Sequence, residues 1–446
     1  MGGMIDRLFR RTLLVIIMSV FCGIVFHAPM SVWLGTVAPD YQLAIKSWKE
    51  ILIVLAAVIV AVQVSRHKLW GELSRDLVIR LSVAFALLHV VLLPFMWQGM
   101  LPAVAGLMIN LRFIVFFMVV YAALKMYPQW RRPMLWGGFI TASVAMLFVL
   151  LQVMVLPNDI LRHIGYSDQT IAPYLTVDQN SDFVRINGTL RGPNPLGIYG
   201  VIIAAACLSL LVVARKKLAS WRPFGDVWDV MAVGIVALIA VWFSYSRSAL
   251  IALVIAIGVV LIARYGKSIS KATWFAVGTS VLLLAGGLYI VKDTHFVSVV
   301  ILHEDPNEGN NVNSNDGHWT SLIDGTERMI RQPLGAGIGS TGSPSLLGEK
   351  PVIIENYFLY VAHEVGWLGL ALFVALVGVV LKRLWQRRSD WLALGVCASG
   401  IGVAVASLLL PVWADDTVSI VWWALAAVAL VTPIAVKGGA RRGRTI

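Results

Sequence analysis

The sequence has little charge for its length. Only 13% of its 446 residues are Asp, Glu, Lys or Arg, whereas 59% are hydrophobic and the mean hydropathy is +0.80. An average soluble domain carries about 25% charged residues, most of them on its surface. The composition therefore excludes an ordinary soluble enzyme and indicates an integral membrane protein.

Cysteine is also scarce. The three cysteines, Cys22, Cys207 and Cys397, each lie inside an apolar run rather than in a loop. This placement argues against a disulfide framework and against a cysteine metal site. The first apolar run follows a basic stretch, as a signal peptide does, but it is about as long as a signal anchor and lacks a clear small-residue cleavage site. We expect it to be retained as the first helix.

Long apolar runs recur along the whole chain. A helix needs roughly 20 apolar residues to cross a bilayer. By this criterion the sequence predicts twelve transmembrane helices, near residues 12–30, 46–64, 77–97, 101–125, 134–156, 193–214, 228–245, 247–263, 273–291, 352–381, 391–411 and 418–436. The expected fold is all-α, a single polytopic bundle rather than two or three soluble domains.

The basic residues predict how the bundle is oriented. If the N-terminus is cytoplasmic, 24 of the 36 Lys and Arg residues fall in cytoplasmic segments and 8 fall on the outer side. The positive-inside rule then places both termini in the cytoplasm. The net charge of +12 is explained by this distribution, so nucleic acid is not expected as a partner.

Two outer segments are longer than a simple connection requires. They divide the chain into helices one to five (1–156), a first outer loop (157–192), helices six to nine (193–291), a large outer loop (292–351), and helices ten to twelve with a basic tail (352–446). The large loop is expected to contain a flexible Asn-rich stretch at 306–317 and a helix at 318–331. Long structured loops in a compact bundle commonly carry function.

Arginines on the outer side oppose the charge bias and are therefore informative. Arg185 and Arg191 precede helix six, and Arg247 occupies the short turn between helices seven and eight. Guanidinium groups at the membrane surface match the oxygens of a phosphate or diphosphate. We expect these arginines to bind the diphosphate of a lipid-linked donor, although phospholipid headgroups, Asp182 or Asp415 are alternative partners.

Arg112 is unusual because it falls inside the fourth predicted helix. An ionisable side chain at membrane depth usually faces the protein interior or a cavity. Arg112 is accordingly a further candidate for diphosphate binding, with a structural ion pair as the alternative. Asn194, Asn356 and Tyr357 lie beside these boundaries and are candidates for acceptor binding or local support.

Three side chains are candidates for a general base. Glu355 and His363 share one face at the start of helix ten, and His303 follows an interfacial stretch of the large loop. Each could take a proton from a sugar hydroxyl. A helix-capping carboxylate and a hydrogen-bonded histidine are the structural alternatives for Glu355 and His363.

Neither a metal ion nor another cofactor is expected. His303, Glu304, Asp305 and His318 match no compact metal motif. The glycines at 335, 337 and 339 superficially resemble a phosphate cradle, but no preceding strand or following lysine accompanies them. A tight loop that exposes its backbone is the better prediction for that segment.

Four sequence blocks together resemble the O-antigen ligase and polymerase family of bacterial envelopes. They are Arg191-Gly-Pro-Asn-Pro-Leu-Gly, Tyr245-Ser-Arg-Ser-Ala-Leu, Pro333-Leu-Gly-Ala-Gly-Ile-Gly, and Asn356 followed by Glu364-Val-Gly-Trp-Leu-Gly. The resemblance covers residues from about 185 to 370. One position departs from the ligase pattern, because Glu355 stands where that pattern has a histidine.

The resemblance implies a metal-independent glycosyltransferase of the GT-C type in the bacterial inner membrane, with its active site facing the periplasm. Its donor would be a glycan on undecaprenyl diphosphate, and the acceptor of a ligase would be the lipid A–core oligosaccharide. The family arginines that hold the donor diphosphate correspond to Arg191 and Arg247. A polymerase or a protein O-oligosaccharyltransferase of the same family is the closest alternative, and a transporter or lipid flippase is a more distant one.

Overall fold

The computed structural model describes the chain apart from residues 1, 172–173, 176–182, 215–226, 267, 269, 271–278, 280–282, 284–285, 288, 303–313 and 432–446. In the described residues all regular secondary structure is helical, without any strand. The longer helices are α1 (Gly2–Gly23), α2 (His27–Val37), α3 (Gln42–Arg66), α4 (Leu77–Leu92), α5 (Met100–Met126), α6 (Arg131–Met154), α7 (Pro193–Ala214), α8 (Val227–Phe243), α9 (Arg247–Tyr265), α10 (Ser314–Arg331), α11 (Tyr357–Gln386), α12 (Trp391–Ala406) and α13 (Asp416–Leu430).

These helices confirm a polytopic membrane protein. Among the described residues, seven segments are long and apolar enough to cross a bilayer, and α4, α8, α12 and α13 are shorter apolar helices. Eleven of the twelve predicted spans coincide with one of these helices. The predicted span at 273–291 lies largely outside the described residues.

Capping side chains explain where the last helices begin. The Oδ1 atom of Asn356 accepts hydrogen bonds from the backbone N–H groups of Phe358 at 2.9 Å and Leu359 at 3.1 Å, so α11 starts at Tyr357 rather than at 352. The Oδ1 atom of Asp415 accepts from the N–H of Val418 at 2.9 Å at the start of α13. Both side chains satisfy backbone donors that the first turn of a helix leaves unpaired.

Small residues bring the central helices close together. Helix α7 packs against α8, α9 and α12. A Cβ atom at Gly395 would lie 2.9 Å from the Cα atom of Ala206, and one at Gly200 would lie 2.9 Å from the carbonyl oxygen of Ala237. Close backbone approach of this kind is the usual packing mode between membrane helices.

The two ends of the bundle differ in charge and in connection length. We call the end that carries segments 157–192 and 292–351 the loop end. At the opposite end, Arg383 donates to Asp76 at 2.6 Å, and the hydroxyl group of Tyr121 donates to the same carboxylate at 2.6 Å. Burial raises the pKa of Asp76, but these hydrogen bonds outweigh it and hold the pKa below its ordinary value. These hydrogen bonds join the start of α4 to the last turns of α5 and α11.

Candidate functional site

A cavity of about 410 Å³ opens at the loop end of the bundle. Its walls come from the middle of α5, the start of α7, the segments at 342–344 and 353–354, and the turn before α13. Four charged side chains line it, namely Arg112, Arg191, Asp415 and Asp416. Apolar side chains line the rest, among them Ile109, Ile198, Ile353 and Leu410. A cavity with charged groups on one part of its wall and aliphatic groups on another can hold an amphipathic ligand.

Arg191 lies at the cavity wall, directly before the start of α7. Pro193 is the first residue of that helix, a position that suits proline because it lacks an N–H group. The Arg191 side chain is exposed, and within the described part of the chain its guanidinium group has no hydrogen bond or ion pair. It can therefore bind an anionic ligand without first giving up a protein partner.

Arg112 faces the same cavity but is already paired. Its Nη1 atom lies 3.3 Å from the carboxylate of Glu50 and 3.9 Å from that of Asp416. Its Nη2 atom donates to the carbonyl oxygen of Ala414 at 2.5 Å. Since the side chain is only 8% exposed, these contacts fix its position. Arg112 therefore forms the structural ion pair that was the alternative to diphosphate binding, and it also lines the cavity.

Lys49 and His27 extend these contacts into a buried charged network. The ammonium group of Lys49 lies 3.2 Å from Asp416 and 3.3 Å from Glu50. The indole N–H of Trp48 donates to Nδ1 of His27 at 2.9 Å, so Nδ1 carries no proton and Nε2 faces Asp416 at 3.3 Å.

Removing one partner from a buried network of this kind typically costs about 3–5 kcal/mol, because another charge is left uncompensated. Sequence reasoning did not identify this network. The signal it left was the adjacent charged pair Lys49 and Glu50 inside a predicted transmembrane span.

Arg185 ties two predicted site segments together. Its Nε atom donates to the carbonyl oxygen of Ser244 at 2.8 Å, and its Nη2 atom donates to Oδ1 of Asn194 at 2.7 Å. Asn194 lines the cavity, and Ser244 belongs to the turn that leads to Arg247 at the start of α9. Arg185 is only 6% exposed, so it connects the α7 entrance to the α8–α9 turn. Arg247 is not among the residues that line the cavity, and diphosphate binding by either arginine stays a prediction.

The glycine series forms a tight loop that packs against a break in α11. Gly366 has a φ of +70°, which interrupts the helix. The N–H groups of Ala336 and Gly337 donate to the carbonyl oxygens of His363 and Glu364, at 2.5 and 3.2 Å. The N–H of Gly339 donates to the Glu364 side chain at 2.9 Å. Because these amides bond to α11, the segment is a tight structural loop and not a phosphate cradle, and the expectation that its backbone would be exposed is wrong.

Glu364 is a further buried residue that the sequence analysis did not single out as a candidate. It is fully buried and also accepts a hydrogen bond from the side chain of Asn110 on α5. These contacts join α5, the glycine loop and the kinked part of α11. Glu364 thereby holds one wall of the cavity in place.

The three candidate bases lie in different surroundings. His303 lies outside the described residues. His363 is 2% exposed and is not among the residues that line the cavity. Glu355 is half-buried, and its carboxylate contacts Nδ1 of His318 on α10.

The remaining candidates, Asn356 and Tyr357, support the start of α11. Asn356 caps the helix. Tyr357 is fully buried and stacks on Tyr360 with ring centroids 5.5 Å apart. Tyr360 lines the cavity, so Tyr357 packs behind the cavity wall.

Comparison with known families bears on this site. Comparison with individual curated proteins finds no match. Residues 232–374 match the family model described as O-antigen ligase. The matched region contains the turn with Arg247, helix α10, the glycine loop and the kinked part of α11. This match confirms the resemblance to the O-antigen ligase family over residues 232–374, which contain three of the four sequence blocks.

Proposed function

We propose that this protein transfers O-antigen glycan from undecaprenyl diphosphate to the lipid A–core oligosaccharide, at the periplasmic face of the bacterial inner membrane. The observation that carries the proposal is the loop-end cavity, in which an unpaired arginine, Arg191, stands beside the fixed Arg112 in a membrane protein that matches the O-antigen ligase family model. Membrane lipids surround the bundle, and both termini are proposed to be cytoplasmic.

The charge and shape of the cavity suit a lipid diphosphate. Arg191 offers a planar fork of donors that matches two phosphate oxygens. Aliphatic side chains such as Ile198 and Leu410 provide an apolar wall beside it for the first isoprenoid units. Asp415 and Asp416 line the same cavity. Because their negative charge repels a diphosphate, the diphosphate should lie on the arginine side of the cavity.

The proposed reaction is a single displacement at the anomeric carbon. The acceptor hydroxyl oxygen attacks that carbon, its proton passes to a base, and the bond to the diphosphate oxygen breaks with its electron pair on the diphosphate. The configuration of the sugar therefore inverts. Arg191, with Arg112 and Arg247 as further candidates, would stabilise the negative charge that develops on the departing diphosphate.

We propose that helix α11 and the segment before it form the acceptor side of the site. Asn356, Tyr357 and Asn194 would act mainly by supporting the cavity wall, since each already bonds to or packs against protein groups. The sequence predicts three candidates for the base, namely Glu355, His363 and His303. Among the described candidates, Glu355 lies nearest in the chain to the cavity wall, directly after Ile354.

Product analysis tests the proposal. The purified full-length protein is mixed with undecaprenyl-diphosphate-linked glycan, with and without lipid A–core, in the presence of a chelator. We expect glycan on lipid A–core only when both substrates are present. Longer glycan on the undecaprenyl carrier would instead make the protein a polymerase. Glycan on an added protein would make it an oligosaccharyltransferase, and no transfer to any acceptor would contradict the enzyme assignment and favour a transporter.

A further inference from the structure

Helix α10 is held firmly against the start of α11. The indole N–H of Trp367 donates to the carbonyl oxygen of Met329 at 2.7 Å, and the backbone N–H of Glu355 donates to Oγ of Ser321 at 3.2 Å. A Cβ atom at Gly325 would lie 3.1 Å from the side chain of Leu359, so the two helices approach closely. Side chains on this face of α10 therefore have a defined position relative to the cavity.

His318 and Glu355 form a carboxylate–imidazole pair at this junction. Nδ1 of His318 contacts Oε2 of Glu355, and the two side chains are 36% and 35% exposed. A nitrogen that faces a carboxylate carries the ring proton, which leaves Nε2 as the proton-accepting atom of a neutral imidazole. A histidine oriented in this way by a carboxylate is a common arrangement for a general base.

Glu355 follows directly after two residues of the cavity wall. Ile353 and Ile354 line the cavity, and Glu355 is the next residue along the chain. Glu355 also precedes the first turn of α11, so the pair lies at the outer rim of the membrane-spanning part.

Other titratable side chains around the cavity are already engaged. Asp416 contacts Lys49 and His27. Asp415 caps α13 through Oδ1. On α10, Glu327 pairs with Arg331 more than two turns beyond His318. On α11, His363 is buried behind the glycine loop. Among the described residues, the His318–Glu355 pair is thus the base candidate that combines solvent access with an orienting partner.

We propose that His318 accepts the proton of the acceptor hydroxyl and that Glu355 is a positioning residue that fixes its tautomer. The inference rests on the proposed function. In the step, the hydroxyl oxygen forms the new bond to the anomeric carbon while its proton moves to Nε2 of His318. The bond to the diphosphate oxygen breaks, its electron pair leaves with the diphosphate, and the imidazolium returns its proton to water.

The test compares substitutions in the full-length protein. We expect His318→Ala to reduce the transfer rate at saturating donor by roughly 100-fold or more, the range typical of a lost general base. Binding of undecaprenyl diphosphate should change less than about twofold, in keeping with a role in proton transfer rather than in donor binding. Asp324→Asn, an exposed carboxylate on the same helix, is the matched control and should transfer at the wild-type rate.

The comparison of rate with binding separates positioning from structural support. Glu355→Gln should lower the transfer rate at saturating substrates and leave the KM values within about twofold, because an amide does not select the same imidazole tautomer as a carboxylate does. Glu355→Asp keeps the carboxylate and should restore most of the rate. A Glu355 that only supports the fold would change the melting temperature and KM together with the rate.

Two negative outcomes can be told apart. If the wild-type protein transfers glycan and His318→Ala does so within twofold of it, the pair has no catalytic role and the proposed function stands. If the wild-type protein transfers no glycan, the proposed function fails and this inference fails with it. His318→Asn guards against misfolding, because it keeps a polar side chain of similar reach; wild-type activity in this variant would equally overturn the proposal.

Discussion

Replacing Arg191 by alanine should weaken donor binding by about tenfold. The side chain lines the cavity and has no protein partner in the described residues, so its loss removes contacts to ligand and leaves no buried group unpaired. A hydrogen bond to a charged group is worth about 1.5–3 kcal/mol. Since Arg191 is exposed, solvent screening favours the lower end, and 1.4 kcal/mol corresponds to a factor of about ten in the dissociation constant.

The assay measures binding of undecaprenyl diphosphate to the full-length protein in lipid nanodiscs, at two salt concentrations. Arg191→Lys should lose less than Arg191→Ala, because it retains the charge and loses the two-pronged geometry. Arg162→Ala is the matched control, since Arg162 is an exposed arginine of the same loop that does not line the cavity. Equal affinities for wild type and Arg191→Ala would refute the assignment of the diphosphate site.

Three further expectations concern the framework of the site. A Cβ atom at Gly106 would lie 2.6 Å from the backbone nitrogen of Gly339, so Gly106→Ala should destabilise the protein by about 1–3 kcal/mol. A Cβ atom at Gly378 would have no atom within 4 Å, so Gly378→Ala should be neutral or stabilising. Equal melting temperatures for the two variants would contradict the close approach of Gly106 to Gly339. Asn356→Ala should lower the free energy of unfolding by about 1 kcal/mol, because two backbone donors of α11 lose their acceptor. Asn356→Asp should retain the cap. A thermal shift measurement that finds no loss for the alanine variant would exclude the capping role. Because the pKa of Asp76 is lowered in the folded protein, its ionised carboxylate stabilises the fold above the ordinary value of 3.8, and this stabilisation is lost as the pH falls through the folded-state pKa. Asp76→Asn should therefore flatten the acid dependence of the melting temperature. An unchanged acid dependence would contradict this expectation.

Much of the bundle could be predicted from hydrophobic runs alone. The spans predicted at 193–214 and 247–263 coincide closely with α7 and α9, because proline, glycine or arginine residues mark their ends. The predicted start at 352 was wrong by five residues for α11. Residues 352–354 are apolar and continue the hydrophobic pattern, whereas the helix begins only after the cap at Asn356.

The site was harder to predict because it depends on contacts between distant segments. The sequence indicated Arg112 and Arg191 from their unusual positions, and the structure places both at one cavity. It gave no indication that Arg185 would bond to Ser244, 59 residues away, or that Glu355 would contact His318. Such partners follow from helix packing, which a hydropathy pattern does not encode.

The most direct test of the account is a structure of the protein with undecaprenyl diphosphate bound, determined in a lipid environment. We predict density for the diphosphate inside the loop-end cavity, in contact with the guanidinium group of Arg191, with the isoprenoid chain leaving along the apolar wall. A diphosphate bound away from this cavity, with Arg191 still unpaired, would contradict the central claim.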